Sequence, residues 1–570
     1  MPTLEWIGKE KVINHHQKIK YRVLNQVYNF NTTKESSNLI INGDNLEVLK
    51  SLLPKYEGRV KVIYLDPPYN TGKENWVYND NVNDPRLQKW LGEVVGSEGE
   101  DLSRHDKWLC MMYPRLKLIH KLLSDDGVIF MSIDNNEFEN LKHISDEIFG
   151  ENNFITNFAV ENNPKGRKNN IFVAESYEYC LLYCKNKIKI SEELKNKNIK
   201  KFFNNIEFDN DKDKRKIYSD EFGDFKQSKR QVVGVNKSNK LCSESNIDRC
   251  FTIYYKANDY KMSLLDEYDV ESDQYFLSEE GKALIEDGYV RYTCLRKGTN
   301  EPAVPLYSKD TVIDKFNEHK LFFKSDGTIY EKDRKSSMQI TSLLTNKKFG
   351  LDLMTESARA LLERILKGAN KFENPKNVQF IKALISLYPD NDVIVLDPFA
   401  GSGTTGHAVI DLNKEDQGNR KFILIEMMDY AESVTAKRIK NVIEETQKNT
   451  KNNFTFYTLG DFLFTEEFNL NKEVGQKMIR QYIYYMETKK DIDNSIITDN
   501  PYYLGTNEIT DYYFYYDKDK VTNLNFDFLS SIKKKNEVYV IYADKCTISD
   551  RDLDRLNIVF KKIPRDISKL

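Results

Sequence analysis

Residues 393–406 read VIVLDPFAGSGTTG, a pattern that is typical of one class of fold. Its apolar start, 393–396, predicts a buried β-strand, and a helix is expected to begin at Thr404. Between them, Gly401, Gly403 and Gly406 form a GxGxxG pattern, whose glycines let a backbone turn approach a ligand closely. The stretch therefore predicts a strand, a turn and a helix, with a ligand at the carboxyl end of the strand.

The same alternation of strand and helix continues on both sides of this stretch. Further strands are predicted at 39–41, 60–65, 127–133, 177–183 and 422–425. Helices are predicted at 44–53, 108–123, 378–387 and 431–445. This rhythm is typical of a parallel sheet covered by helices, an α/β fold of the Rossmann-like type.

The rhythm fails between about 190 and 345, which indicates an α/β domain split by a large insert. The expected divisions are an N-terminal extension at 1–35, the first half of the domain at 36–190, the insert at 191–345, the second half at 346–450 and a small C-terminal domain at 451–570. Residues 191–240 hold 13 Lys and Arg against 9 Asp and Glu, with Phe202, Phe203, Tyr218 and Phe225 interleaved. Two interpretations stay open for them: a solvated insertion or a nucleic-acid surface.

The composition excludes several classes of protein. The chain has 570 residues with 40% hydrophobic and 30% charged residues, as in globular proteins, and no apolar run approaches the roughly 18 residues of a membrane span. The seven cysteines never form a CxxC pair, so we expect reduced thiols, and the seven histidines do not have the spacing of metal ligands, so we expect no metal. The first residues lack the apolar core of a signal peptide, so we expect a cytoplasmic protein. The net charge of −3 means that any nucleic-acid surface must be a local patch. No GxxxxGK[ST] loop occurs, which argues against an ATPase motor.

A second motif, Asp66-Pro67-Pro68-Tyr69, directly follows the predicted strand 60–65. The two prolines extend the backbone and remove two N–H donors, so a carbonyl and the Asp66 carboxylate stand side by side. Such a pair of acceptors suits an NH2 group, such as the exocyclic amine of a nucleobase, and the ring of Tyr69 offers a face on which an unstacked base can lie. The alternative is a simple turn that closes the strand.

The glycine turn also has two open interpretations. Glu426 follows Gly403 by 23 residues, at the end of the next predicted strand, which fits the dinucleotide fingerprint of a dehydrogenase. S-adenosyl-L-methionine offers the same ribose hydroxyls to Glu426 but a cationic methionine portion in place of pyrophosphate. Asp397, just before the glycines, suits a cation better than a phosphate.

Two further residues are weaker candidates. Asp44 follows the first strand and either contacts the adenine of a cofactor or caps the helix at 44–53. Lys376, before the helix at 378–387, is either an edge of the cofactor pocket or part of a helix start.

With both motifs in this order, the chain resembles the β-class amino-methyltransferases of DNA, in which the target-base motif precedes the cofactor motif. More narrowly, it is similar to the modification (Mod) subunits of type III restriction-modification systems. The stretches that carry the narrower likeness are 4–9, 132–134, 148–154, 177–179, 296–298 and 560–567.

This resemblance implies a Rossmann-like, S-adenosyl-L-methionine-dependent methyltransferase fold with circularly permuted motif order, an inserted target-recognition domain and a small C-terminal domain. It implies methylation of adenine N6 in duplex DNA. The alternatives are cytosine N4 methylation, a solitary or type II DNA methyltransferase, and a DNA-recognition subunit with a vestigial site. The partners it implies are double-stranded DNA with a flipped target base, a second copy of the chain and a separate helicase-nuclease restriction subunit. The implied catalytic residues are Asp66, Pro67, Pro68 and Tyr69, and the implied cofactor-binding residues are Asp44, Lys376, Asp397, Pro398, Phe399, Ala400, Gly401, Ser402, Gly403, Thr404 and Glu426.

Overall fold

In the computed structural model of this chain, the described residues are 3–33, 35–71, 104–166, 172–196, 206–207, 216–220, 223–333, 337–338, 341–345, 351–368, 372, 374–445, 452–467, 469–490, 492, 500–533 and 536–564. Phe202 and Phe203 of the basic stretch, and 565–567 of the stretch 560–567, lie outside them. The chain divides into two compact units, unit 1 (Met1–Ile206 and Gln339–Leu570) and unit 2 (Glu207–Met338).

The strands in chain order are β1 (Arg22–Phe30), β2 (Leu39–Asn42), β3 (Val60–Leu65), β4 (Leu123–Ile133), β5 (Phe154–Glu161), β6 (Tyr177–Cys184), β7 (Ile206–Glu207), β8 (Ile217–Asp220), β9 (Gly223–Val233), β10 (Val235–Asn236), β11 (Thr252–Lys256), β12 (Lys261–Leu265), β13 (Tyr268–Asp269), β14 (Gln274–Tyr275), β15 (Val290–Tyr292), β16 (Leu295–Arg296), β17 (Leu321–Phe323), β18 (Ile329–Asp333), β19 (Ser337–Met338), β20 (Leu343–Leu344), β21 (Ile394–Asp397), β22 (Lys421–Glu426), β23 (Phe454–Phe462), β24 (Tyr503–Asn507), β25 (Thr510–Phe514), β26 (Asn523–Leu524), β27 (Val538–Ala543), β28 (Lys545–Cys546) and β29 (Ile558–Lys562).

The α-helices are Lys9–Val12, His15–Lys18, Asn45–Tyr56, Arg104–Leu122, Phe138–Phe149, Lys187–Asn196, Glu279–Glu286, Lys309–Asn317, Thr355–Ile365, Val378–Ser386, Thr404–Asp416, Lys437–Glu445, Gln476–Thr488, Phe526–Ser530 and Asp550–Arg555. None of the helices that the structure describes is long and apolar enough to cross a membrane.

A ten-stranded sheet forms the centre of unit 1, in the order β1-β23-β2-β22-β21-β3-β4-β6-β5-β20. The strands from β23 to β4 pair in parallel, whereas β6 is antiparallel to both β4 and β5. Residues of β3 and β21 are buried on both sheet faces, as expected for strands covered by helices. The predicted α/β fold of Rossmann-like type is confirmed.

The sheet has a topological switch point between β21 and β3. Along the chain, β21 leads through helix Thr404–Asp416 to β22 on one side, and β3 leads through helix Arg104–Leu122 to β4 on the other. Leu396 of β21 lies opposite Ile63 of β3 in parallel register, so both strands end at the same edge of the sheet. Ligands of open α/β sheets bind in the crevice at such a point.

Both ends of the chain contribute to this sheet. The interval 1–35, expected to be an extension, contains β1, which pairs antiparallel with β23 from the interval assigned to the C-terminal domain. Strand β1 is half polar along its length, as suits an edge strand, and its partner lies more than 400 residues away. Periodicity within one segment does not reveal such a pairing.

The expected helix at 431–445 is interrupted. A 3-10 turn at Asp429–Ala431 and a π-helical turn at Glu432–Ala436 precede the α-helix Lys437–Glu445. The wide turn brings the Thr435 hydroxyl to the glycine turn, where it donates a hydrogen bond to the Gly401 carbonyl at 2.6 Å. π-Turns are frequent at functional sites.

The remaining part of unit 1 carries a second, four-stranded sheet in the order β24-β25-β27-β29. Residues Ile479 and Ile483 of helix Gln476–Thr488 share one apolar cluster with Tyr21, Val23 and Leu463, so this region packs on the edge formed by β1 and β23.

Unit 2 has cores of its own. Its main sheets are β12-β11-β15 and β17-β18-β9-β8, and an apolar cluster that includes Phe251, Ile253, Val312 and Ile329 holds the first to β9, β18 and helix Lys309–Asn317. Unit 2 begins later in the sequence and ends earlier than the insert expected at 191–345.

Candidate active site

Asp66 directly follows the last residue of β3, and Tyr69 turns back toward it. The Tyr69 hydroxyl lies 3.0 Å from Asp66 Oδ1 and 3.2 Å from Glu178 Oε2. Between them the chain is held by Trp108, whose buried indole N–H donates to the Pro68 carbonyl at 2.7 Å. The four residues of the motif, 66–69, thus form a braced loop at the switch point, the Asp66 loop.

Lys376 lies at this loop. Its ammonium is 3.3 Å from Asp66 Oδ1, 2.5 Å from the Tyr69 hydroxyl and 4.7 Å from the centre of the Tyr69 ring. The resemblance implies a cofactor-binding role for Lys376, and its side chain contacts the residues expected to hold the target base. This placement brings together two segments 307 residues apart.

Glu178 is a site residue that the sequence reasoning did not single out. It lies on β6, is 4% exposed and accepts hydrogen bonds from the Lys376 ammonium at 2.9 and 3.0 Å. A signal was present, because Glu178 is an isolated acid in the otherwise apolar and aromatic run 177–184, and a buried carboxylate needs a partner.

Burial and charge act together on these groups. Burial raises the pKa of Asp66; Lys376 opposes this shift and Glu178 adds to it. Burial lowers the pKa of Lys376, but Asp66 and Glu178 outweigh that effect and raise it to about 12. Burial also raises the pKa of Tyr69 well above its usual value, so at neutral pH the ammonium and the phenol both keep their protons.

The glycine turn follows β21 and leads into helix Thr404–Asp416. Gly401 and Gly403 have φ of +52° and +81°, a region that residues with a Cβ rarely adopt. A Cβ on Gly403 would lie 3.2 Å from Thr435 Cγ2 and from the Thr435 carbonyl oxygen. The Ala400 N–H donates to Ile425 of β22 at 2.9 Å, and the ring of Phe399 is half-exposed beside the turn.

The two acids of this region have different surroundings. Asp397 is buried and accepts hydrogen bonds from the Phe399 N–H at 3.0 Å and the Thr405 hydroxyl at 2.5 Å, so it shapes the turn. Glu426, at the end of β22, accepts from the Gly401 N–H at 2.8 Å and the Met428 N–H at 2.9 Å. Burial raises the pKa of each carboxyl to about 7.

Two buried arginines brace the turn from beneath. Arg438 donates to the hydroxyls of Ser402 and Thr404, both at 2.8 Å. Arg115 donates to Asn45, whose amide in turn donates to the Pro398 carbonyl at 3.2 Å. Neither arginine carries a local sequence signal for these contacts, since the partners named here lie 34 to 70 residues away.

Asp44 acts as a helix cap. Its carboxylate accepts from the N–H groups of Leu46 and Glu47 at 2.8 and 3.4 Å, and its second oxygen lies 3.4 Å from the Arg115 guanidinium. Of the two interpretations left open above, these contacts support the cap.

The turn fits a nucleoside with hydroxyl donors better than a pyrophosphate. Glu426 offers a carboxyl acceptor at the turn, which suits ribose hydroxyls, and Asp397 adds a second carboxyl group, which disfavours a nearby phosphate. S-Adenosyl-L-methionine carries a positive sulfonium and a ribose whose hydroxyls suit a carboxylate acceptor.

A sequence profile of the DNA methylase family matches residues 60–438, which include both motifs. The chain belongs to this family of DNA methylases. It is 33% identical to the type III restriction-modification enzyme EcoPI Mod subunit of Escherichia phage P1 over 73% of this chain and 62% of that protein. It is 31% identical to the EcoP15I Mod subunit of Escherichia coli over 69% of this chain and 59% of that protein. The type II methyltransferase M.KpnI of Klebsiella pneumoniae is 30% identical over 71% of this chain and 84% of that enzyme.

This DNA methylase spans about six tenths of the length of the two Mod relatives. Family membership establishes S-adenosyl-L-methionine as its cofactor and disfavours a dinucleotide-dependent dehydrogenase.

Proposed function

We propose that this chain transfers a methyl group from S-adenosyl-L-methionine to adenine N6 at specific sites in duplex DNA, as the modification subunit of a type III restriction-modification system. The observation that carries the proposal is the meeting of the Asp66 loop and the glycine turn at the shared edge of β3 and β21. The identity to two type III Mod subunits supports the narrower assignment.

The acceptor residues have the chemistry that an exocyclic amine needs. When bound, the cofactor supplies an electrophilic methyl group on its sulfonium. The Asp66 carboxylate and the Pro67 carbonyl accept the two N–H groups of the amine, which directs the nitrogen lone pair outward, and the Tyr69 ring stacks on the flipped base. Catalysis then depends on orientation and polarisation and uses no covalent intermediate on the protein.

The cofactor residues bind by shape and by hydrogen bonds. Glu426 accepts the ribose hydroxyls, Phe399 packs against the nucleoside, and the glycines of the turn permit close approach. Asp397, Ser402 and Thr404 hold the turn in shape through their own hydrogen bonds.

The expected partners follow from the same assignment. We propose that the methylase acts as a homodimer on DNA and associates with a separate helicase-nuclease subunit, and that residues within 191–345 read the DNA sequence.

The test is single-molecule sequencing of DNA from a methylation-free host that expresses this chain. We expect N6-methyladenine in one short sequence context, on one strand only. Modified cytosine N4 would replace the adenine assignment, and marks on both strands would favour a solitary type II enzyme. The Asp66→Ala variant is expected to leave no marks while binding S-adenosyl-L-methionine normally in calorimetry. Normal methylation by that variant would remove Asp66 from the acceptor site.

A further inference from the structure

A largely buried charge cluster lies at the Asp66 loop and consists of Asp66 and Tyr69 of the loop together with Glu178 and Lys376. It holds two carboxyl groups and one ammonium, whose side chains are 24%, 4% and 17% exposed for Asp66, Glu178 and Lys376. Charges so far from water are stable only when they are paired and hydrogen-bonded. Glu178 and Lys376 have no part in the chemistry described above.

The hydrogen bonds to Asp66 are one-sided. Tyr69 and Lys376 both approach Oδ1, and among the described residues no hydrogen bond reaches Oδ2. One oxygen, Oδ1, therefore anchors the carboxylate, and Oδ2 is left to accept a hydrogen bond from an N–H group of the base.

Lys376 also connects this loop to the cofactor turn. The Thr404 hydroxyl, at the start of the helix that follows the turn, lies 3.2 Å from the Lys376 carbonyl oxygen and 2.8 Å from the Arg438 guanidinium. The main chain of Lys376 is thus tied to one half of the site, and its side chain to the other.

We infer that Lys376 and Glu178 are positioning residues of the acceptor site: Lys376 anchors Asp66 as an anion through Oδ1, and Glu178 holds the Lys376 ammonium in place. This inference rests on the proposed function. It assigns both residues an effect on the target base that passes through Asp66 and Tyr69.

The inference predicts opposite pH effects for the two residues. Six groups face Asp66: Lys376, Tyr69 of the same loop, Tyr64 of β3, Asp397 of β21, and Glu178 and Cys180, both of β6. Only ionised Asp66 has two acceptor oxygens, so transfer falls as pH drops through its pKa. Removing the positive charge of Lys376 raises that pKa and moves the acid limb of the profile to higher pH. Removing the negative charge of Glu178 moves the limb to lower pH.

The experiment measures kcat and KM across pH with tritiated S-adenosyl-L-methionine and plasmid DNA from a methylation-free host. We expect Lys376→Gln to shift the acid limb of the kcat profile to higher pH by about one pH unit or more. At pH values on the acid side of the limb, kcat then falls about tenfold or more relative to wild-type protein. Lys376→Arg keeps the charge and should restore the position of the limb. Glu178→Gln should shift the limb downward, because its amide oxygen can still accept from the Lys376 ammonium while the negative charge is gone.

Two controls separate this effect from misfolding and from cofactor binding. Lys382→Gln removes a lysine of the neighbouring helix Val378–Ser386 that pairs with Glu415, and it should leave the profile unchanged. Calorimetric binding of S-adenosyl-L-methionine reports on Asp397 and Glu426, and its pH dependence should be the same in all variants.

Each outcome has a distinct meaning. Wild-type protein that transfers no methyl group to DNA overturns the proposed function and this inference with it. Active wild-type protein with unshifted limbs in Lys376→Gln and Glu178→Gln overturns the inference alone. Shifts of the same sign in both variants would also contradict it.

Discussion

At the scale of single residues, Glu426 has a charge state that depends on pH near neutrality. Burial raises its pKa to about 7, although the hydrogen bonds from the N–H groups of Met428 and Gly401 oppose this shift. Ribose hydroxyls donate best to an ionised carboxylate, so the affinity for S-adenosyl-L-methionine should weaken as pH falls through about 7. Calorimetry across this range should show the loss in wild-type protein and a smaller loss in Glu426→Gln, with exposed Glu415→Gln as the control. A flat wild-type profile would remove Glu426 from the ribose site.

The same shift makes a prediction for stability. A carboxyl whose pKa is higher in the folded than in the unfolded state binds its proton more tightly when folded, so stability is greatest below the unfolded value and declines as pH rises to about 7. For Glu426 the decline is of the order of 3 kcal/mol. Urea unfolding should show a smaller decline for Glu426→Gln than for wild-type protein, and equal slopes would contradict the assignment.

Gly403 is the residue at which backbone conformation matters most for binding. Alanine there would carry the strain of φ +81°, about 1–2 kcal/mol, and place its Cβ 3.2 Å from Thr435. We expect Gly403→Ala to weaken S-adenosyl-L-methionine binding about tenfold, as measured by calorimetry. Gly368→Ala is the matched control, because its φ is +87° and nothing lies within 4 Å of the added Cβ. Equal affinities of both variants would mean that the turn does not contact the cofactor.

At the scale of elements, helix Asn45–Tyr56 depends on Asp44 for its start. Asp44→Ala removes the cap and leaves buried Arg115 without this carboxylate, so we expect a loss of about 1–3 kcal/mol in the free energy of unfolding. Asp44→Asn keeps a good cap and should cost less. Urea unfolding measures both, and Ser549→Ala, which removes the cap of helix Asp550–Arg555, is the control for a cap far from the turn. An equal cost for Ala and Asn would show that the charge, and not the cap, is what matters.

At the scale of the whole molecule, all ten strands of the central sheet lie outside unit 2, which has apolar cores of its own. Replacing Glu207–Met338 by a flexible glycine-serine linker should therefore leave S-adenosyl-L-methionine binding within about threefold of wild type. If 191–345 reads DNA, the same variant should lose methylation at defined sites. Full-length Asp66→Ala, which keeps unit 2, separates loss of chemistry from loss of recognition. Unchanged marks after the excision would place recognition elsewhere.

Local patterns were sufficient for the strands and turns that carry both motifs. The run 393–396 ends at Asp397 and the run 60–65 ends at Asp66, and in each case an apolar segment is followed by residues that break a strand. Such signals depend on neighbours within a few residues, which is why the alternation of strand and helix, the Asp66 loop and the glycine turn could all be predicted from local sequence.

The distant groups that complete the site come together only in the folded chain. Lys376 belongs by sequence to the segment before helix Val378–Ser386, yet its ammonium joins Asp66, Tyr69 and Glu178. Strands β1 and β23 extend the sheet from opposite ends of the chain. These contacts depend on how strands order in the sheet and how buried charges find partners, and neither is encoded in the spacing of residues along one segment.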